Sequence, residues 1–291
     1  MRSFKDFCQE AFQLNEKLIT FGNIAYPKFG QIVILAGGAG SGKGFIRSTL
    51  LGIQGNVLDV DALKALAIGS TKLAARIKDE TGLDLKELDL RNPENVKTLH
   101  DVLANVYGVT KADQRRIFTA ALAAPQERKP NLIFDVTLKD IKKLDDITRN
   151  AINLGYNREN IHVVWVLNDL EVSKQQNLNP DRGRVVPDEI LLTTHEGAAI
   201  TMARLMDMGS DLSRYLDGDM YIAFNKPGVD TTVIRNPSAK SRWNPDGGMY
   251  VLDANYIQIK KKGKRVMNRS QLSNEILDKI SDYTPDTPTW N

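Results

Sequence analysis

The stretch Gln31-Ile32-Val33-Ile34-Leu35-Ala36-Gly37-Gly38-Ala39-Gly40-Ser41-Gly42-Lys43 decides how the rest of the chain is read. Residues 31–36 read as a strand buried on both faces, because the apolar run has no polar alternation. A glycine cluster follows at Gly37–Gly44, and helical patterning resumes at Phe45–Leu51. The cluster fits G-x-x-x-x-G-K between a strand and a helix. Glycines let the backbone wrap closely around phosphate oxygens, so that successive N–H groups point at them. Lys43 can then reach the outer phosphates as a mobile point charge. A plain Gly-rich turn before a helix is the alternative, and strand, glycine spacing and lysine together argue against it. Gly44 and Phe45 stand where the usual pattern carries a Ser or Thr hydroxyl for Mg²⁺. A metal would therefore be held through water, through Ser41 or by an acidic residue elsewhere.

Outward from this loop, strand-like and helix-like segments alternate. Upstream, residues 4–20 have helical apolar spacing and predict an amphipathic lead-in helix. Downstream, Asn56–Val60, Asn131–Val136, Ile161–Leu167 and Met220–Phe224 read as further strands. Residues 61–128 read as mostly helical, with breaks near Gly82 and at Asn92-Pro93, and Leu138–Leu154 reads as a helix. Strands separated by helices imply βαβ units and a mainly parallel sheet. After about residue 227 the texture changes: Thr231–Ile234 and Met249–Lys260 look like strands, and Gln271–Ser281 like a short helix. The expected division is a core domain over 1–226 and a small β-containing C-terminal extension over 227–291.

Composition narrows the classes. The chain has 291 residues, 42% hydrophobic and 26% charged, which excludes a disordered or fibrous chain. A net charge of +3 is too small to imply a nucleic-acid or membrane partner by itself. The single cysteine, Cys8, excludes an internal disulfide and a Cys-based zinc site and suits a reducing compartment. No apolar run approaches the ~20 residues of a membrane helix, so no membrane association and a cytoplasmic location are expected. No obligate protein partner is inferred. The three histidines, His100, His162 and His195, lack metal-ligand spacing; His162 reads as a structural strand residue.

Acidic residues mark the ends of two strands. Asp59 and Asp61 follow the second strand, at the edge where open α/β sheets bind ligands. One could accept a proton from an attacking hydroxyl and the other orient water or metal; alternatively Asp61 caps the next helix. Asp135 ends the third strand, and either a magnesium-related role through water or a helix cap before Leu138 fits it. Asp181-Arg182-Gly183-Arg184-Val185-Val186-Pro187 sets two guanidinium groups around a possible hinge, a pattern that can stabilise spreading phosphoryl charge. An exposed basic turn is the alternative there. For Arg115 and Arg116, in the helical region between the second and third strands, a solvated face and an acceptor-binding role are equally open. The densest charge cluster is Lys260–Arg265, either a solvated turn around Gly263 or a contact for a phosphate backbone.

The loop, with Asp61 eighteen residues after Lys43 in Asp59-Val60-Asp61-Ala62-Leu63-Lys64, resembles the zeta-toxin-like and polynucleotide-kinase-like P-loop kinases. The resemblance implies a three-layer α/β sandwich with a mainly parallel five-stranded sheet in the order 2-3-1-4-5. It also implies ATP and Mg²⁺ as cofactors. ATP would be held by Gly37, Gly38, Ala39, Gly40, Ser41, Gly42, Lys43, Gly44 and Phe45. Asp61 would be the base that activates the acceptor hydroxyl, and Lys64 would contact the acceptor's phosphate. Arg182 and Arg184 would form the lid that acts with Lys43 in catalysis, and Asp135, with Asp59, would hold the metal through water. The longer stretch Tyr26–Phe45, continuing to Asp59-Val60-Asp61, is similar to tailed-phage kinases that phosphorylate 5-hydroxymethyluracil in DNA. That similarity implies such DNA as acceptor, in a thymidine hypermodification pathway that helps phage DNA evade host restriction. A small-molecule kinase acting on a nucleotide or nucleotide sugar shares every core motif. An ATP-switched binding protein would keep the loop and need no base.

Overall fold

A computed structural model describes residues 19–21, 24–51, 56–59, 68–179, 184–225, 232–236, 250–268 and 270–271. The chain opens with a two-stranded antiparallel pair, β1 (Ile19–Phe21) and β2 (Ile24–Tyr26). Strand β3 (Ile32–Ala36) leads through the glycine loop into α1 (Lys43–Thr49), and β4 (Asn56–Asp59) follows. A helical insertion then carries α2 (Thr71–Thr81), α3 (Pro93–His100), a π-helical turn (Asp101–Val106) and α4 (Val109–Ala123). Next come β5 (Leu132–Asp135), α5 (Ile141–Asn153), β6 (Ile161–Leu167), α6 (Leu170–Leu178) and α7 (Asp188–Asp207). Strands β7 (Met220–Phe224), β8 (Thr232–Asn236) and β9 (Tyr250–Lys260) complete the described elements.

The main sheet runs β4-β5-β3-β6-β7-β9-β8, and its first five strands are parallel. Counted in chain order within this sheet, the five parallel strands follow the 2-3-1-4-5 order expected from sequence, and the sheet differs from the five-stranded expectation in carrying two further strands. Beyond β7 the sheet continues with β9 and β8, both antiparallel to their neighbours. The stretch Asn255–Lys260 of β9 satisfies the open edge of β7 with ladder hydrogen bonds, which a buried strand cannot leave unpaired. The lead-in helix expected over 4–20 falls outside the described residues up to 18. Its last two positions, Ile19 and Thr20, are strand instead, paired with Tyr26 and Ala25. The helix expected over 271–281 lies outside the described residues from 272 onward.

Alternation along the strands sorts two cores. Ile32, Ile34, Phe134, Val163, Trp165 and Ile222 face one layer, built from α4, α5 and α7. Val33, Leu35, Ile133, Val164, Val166 and Tyr221 face the other, where Ile46 and Leu50 of α1 and Phe21 of β1 cover them. All seven residues of β6 are buried, as its unbroken Ile-His-Val-Val-Trp-Val-Leu pattern predicts. The insertion has a small core of its own, with Ala74, Ile77, Leu85, Leu99 and Leu103.

Helix boundaries follow local chemistry. Gly82 closes α2 at φ +73°, a left-handed cap that favours glycine. Asn92 opens α3 by accepting from the Glu94 N–H at 3.0 Å, with Pro93 in the first turn. The helix expected from Leu138 starts later, at Ile141, because Asp140 is the residue that caps it, accepting from the Lys142 N–H at 2.9 Å. Leu138 itself sits at φ +52°, strained backbone for a branched side chain.

Candidate active site

The glycine loop lies at the C-terminal end of the parallel strands, where the sequence pattern places it. Two close approaches explain why it tolerates so few side chains. A Cβ on Gly38 would lie 2.0 Å from Cδ2 of His195, and one on Gly42, at φ +90°, would lie 2.0 Å from the amide nitrogen of Asn225. The loop is gripped from behind by two elements. From α7, the Thr194 hydroxyl accepts from the Ala39 N–H at 3.1 Å and His195 Nε2 donates to the Ala39 carbonyl at 2.7 Å. From the end of β7, Asn225 donates its amide to the Ser41 carbonyl at 3.1 Å. Donation to the Ala39 carbonyl places a proton of His195 on Nε2. Burial, together with the nearby Lys43 ammonium, lowers its pKa to about 4 against the weaker opposing pull of the Ala39 bond.

Lys43 folds back along the loop, donating to the carbonyls of Gly37 at 2.9 Å and Gly38 at 3.2 Å, and stands 4.0 Å from Asp135 Oδ1. Asp59 and Asp135 are direct register partners in β4 and β5, so both carboxylates emerge from the same sheet edge. Arg47, one turn after Lys43 on α1, reaches both: its Nη1 is 3.4 Å from Asp59 Oδ2 and 3.4 Å from Asp135 Oδ2. Asp135 therefore is not the cap of the following helix; Asp140 is. The Gly37 N–H donates to the Thr137 carbonyl at 3.2 Å, and the strained Leu138 immediately follows that residue.

These residues suit Mg²⁺. The ion prefers one or two carboxylates and keeps waters for its remaining positions, so two carboxylates beside a phosphate loop are a sufficient donor set. Among the described residues no group of three or more His, Cys, Asp or Glu side chains forms a closed metal cage. Ser41 does not join the pair: it is fully buried, and its Oγ has no hydrogen-bond partner among the described residues and turns toward Gly37. Gly44 and Phe45 are exposed at the start of α1.

Other expected residues are placed differently. Asp61, Lys64 and Arg182 lie outside the described residues. Arg184 opens a tethered segment: the Val185 N–H donates to the Leu90 carbonyl at 2.9 Å, and Val186 exchanges two hydrogen bonds with the buried Asn177. Arg116 pairs with Asp113 at 2.9 Å on the exposed face of α4, and Arg115 beside it is exposed.

The basic run is also divided. Lys260 is buried, with its ammonium on Asp217 Oδ1 at 3.0 Å and on the carbonyls of Asp217 and Gly218. Lys262 reaches Glu159 at 3.4 Å, while Lys261, Lys264 and Arg265 are exposed around Gly263, at φ +67°. Lys260 pairs with Met220, the first residue of β7, so the run sits at the sheet edge opposite the glycine loop.

Sequence reasoning assigned no role to Arg47, Thr194 or Asn225. Arg47 carries a readable signal, since a residue four positions after Lys43 shares its helical face. Thr194 and Asn225 carry none, because their partners are backbone groups more than 150 residues away.

The likeness to solved structures is low in sequence. A crystal structure of the AvrRxo1-ORF1–ORF2 complex with ATP matches at 13% identity and a TM-score of 0.48, covering 85% of this chain and 63% of that one. The PezAT toxin–antitoxin system of Streptococcus pneumoniae matches at 13% identity and a TM-score of 0.40, covering 75% of each chain. This chain thus spans less than two thirds of the AvrRxo1 chain it matches. No curated protein matches it. The zeta toxin family model matches residues 69–216, just over half of the chain, from the helical insertion through α7. On that match, the chain belongs to the zeta toxin family.

Proposed function

We propose that the protein is an ATP-dependent kinase that transfers the γ-phosphoryl group to a hydroxyl of a small-molecule acceptor of the nucleotide or nucleotide-sugar type. The observation that carries this reading is the meeting of Lys43, Asp59 and Asp135 at one sheet edge beside the glycine loop. Phosphoryl transfer asks the protein mainly for positioning and for charge. In this reading the loop and Lys43 hold the ATP phosphates, and Asp59 and Asp135 hold Mg²⁺ through water. Arg182 and Arg184 close over the transferring group, and Asp61 takes the proton from the acceptor hydroxyl. Mg²⁺, if bound there, would supply positive charge that offsets the charge of the phosphates. Membership of the zeta toxin family supports the small acceptor.

A second reading keeps DNA containing 5-hydroxymethyluracil as acceptor, favoured by the similarity of residues 26–64 to the phage kinases. Against it stands the basic run, at the far edge of the sheet and with one lysine buried. Transfer of labelled γ-phosphate from ATP decides between them, run in parallel with nucleotide sugars, with hydroxymethyluracil DNA and with unmodified DNA. Label on a nucleotide sugar alone supports the first reading, and label on the modified DNA alone replaces it. Lys43→Ala should remove transfer and leave the circular dichroism spectrum unchanged. A folded Lys43→Ala protein with normal turnover would remove the kinase assignment itself.

A further inference from the structure

The Arg47 side chain is 32% exposed and directed at the Asp59 and Asp135 carboxylates, with one nitrogen at the same 3.4 Å from each. Those two oxygens come from adjacent positions of β4 and β5, and a bare pair of carboxylates so placed repels itself. We propose that Arg47 is an internal counter-ion that keeps this carboxylate pair closed to a divalent cation until a nucleotide brings the cation with it. The proposal rests on the reading of Asp59 and Asp135 as the pair that holds magnesium.

Arginine stays charged at any working pH, and here a single nitrogen, Nη1, stands between the two acceptors. Lys43 stands on the other side of Asp135, 4.0 Å from Oδ1. The charges of Lys43, Arg47, Asp59 and Asp135 cancel. A free divalent ion, which sheds its hydration reluctantly, therefore gains no net attraction from these four groups. Nucleotide changes the balance. Its phosphates add negative charge, draw Lys43 from the loop carbonyls and offer Arg47 another acceptor. Arg47 then acts as a positioning residue: it sets when the metal enters, without touching the reacting atoms in the free protein.

Mn²⁺ serves as the probe, with free ion counted by electron paramagnetic resonance on the full chain and no acceptor present. Wild type should bind Mn²⁺ saturably only when ADP or ATP is added. Arg47→Gln should bind Mn²⁺ without nucleotide at least about tenfold more tightly than wild type, since one positive charge has left a partly buried cluster. Arg47→Lys should stay near wild type, and adding Asp135→Asn to Arg47→Gln should remove the gain. Wild type that binds Mn²⁺ equally well with and without nucleotide overturns the proposal, and that result needs no variant to fold. Equal Mn²⁺ affinity of folded Arg47→Gln and wild type overturns it too. Failure of the kinase reading would appear elsewhere, as absent phosphate transfer, and would leave the nucleotide-free Mn²⁺ comparison intact.

Discussion

His195 shows how a single side chain can hold the backbone of the loop. Its ring fills the space that a side chain at residue 38 would need, and its Nε2 proton holds the Ala39 carbonyl. Protonation in the folded state is resisted down to about pH 4, whereas an unfolded histidine takes up its proton near 6.5. The unfolded chain therefore binds more protons between those values. The stabilisation is complete above about pH 6.5 and is lost as pH falls towards 4. His162 works in the same direction: buried, with Nδ1 accepting from the Asp219 N–H at 2.9 Å, it is also lowered to about 4, chiefly by desolvation. Melting temperature should thus fall from pH 7 to pH 5. His195→Gln, which can still donate to Ala39, should show a shallower fall, with His162 supplying the remainder. An unchanged slope in that variant would mean that His195 is already charged in the folded protein. Asp61 supplies the second prediction at this scale. If it is the base, Asp61→Asn should keep ATP affinity and lose ~10²-fold in kcat, the usual contribution of a positioned general base. A change in melting temperature alone would return Asp61 to a capping role.

Among the elements, α6 and α7 do most to join the parts of the site. Asn177, on α6 and 1% exposed, spends its whole amide on the backbone of Val186. Arg91 of the insertion adds bonds to the Leu178 and Asn179 carbonyls at 3.2 and 3.4 Å. The arginine segment is thereby fixed at its exit, two residues after Arg184. Asn177→Ala leaves a buried N–H and C=O unsatisfied and should cost about 1–3 kcal/mol, read by denaturant titration. Faster hydrogen exchange at the Val186 amide should accompany it; exchange at the wild-type rate would show another anchor. Elements of this kind mark the limit of what the sequence discloses. The strand–glycine–lysine–helix signal and the caps at Gly82 and Asn92 depend on neighbours in the chain, and so they could be read. The start of α5 was misplaced by three residues because Leu138 adopts a left-handed backbone that no propensity favours. The continuation of the sheet into β9 and β8 was hidden, since strand propensity identifies a strand and not its partner. Asp59 and Asp135 were legible as candidates from their places at strand ends. Their adjacency, and the arginine between them, needed the pairing of β4 with β5.

Across the whole molecule, the two edges of the parallel strands divide the labour. One edge carries the glycine loop, the carboxylates and the grip of α7. The other carries a buried polar network in which Tyr26 donates to Asp219 at 2.5 Å and His162 donates to Gln31 at 3.0 Å. Burial and the adjacent Asp219 push the Tyr26 hydroxyl far above its ordinary pKa, so it remains a donor throughout the working range. This network ties the β1–β2 pair and the basic turn onto the sheet, with the Lys262 N–H donating to Asp219 at 2.6 Å. Within that turn the burial of Lys260 has a consequence for chemical reactivity. An amine-selective acylating reagent needs an accessible lysine in its neutral amine form, and the head group of Lys260 is enclosed by three oxygens. Brief labelling of the native protein followed by peptide mass mapping should mark Lys261 and Lys264 and spare Lys260 until the chain unfolds. Two neighbouring lysines would then differ in reactivity because one of them has become part of the interior, and acylation of Lys260 would time the opening of this sheet edge.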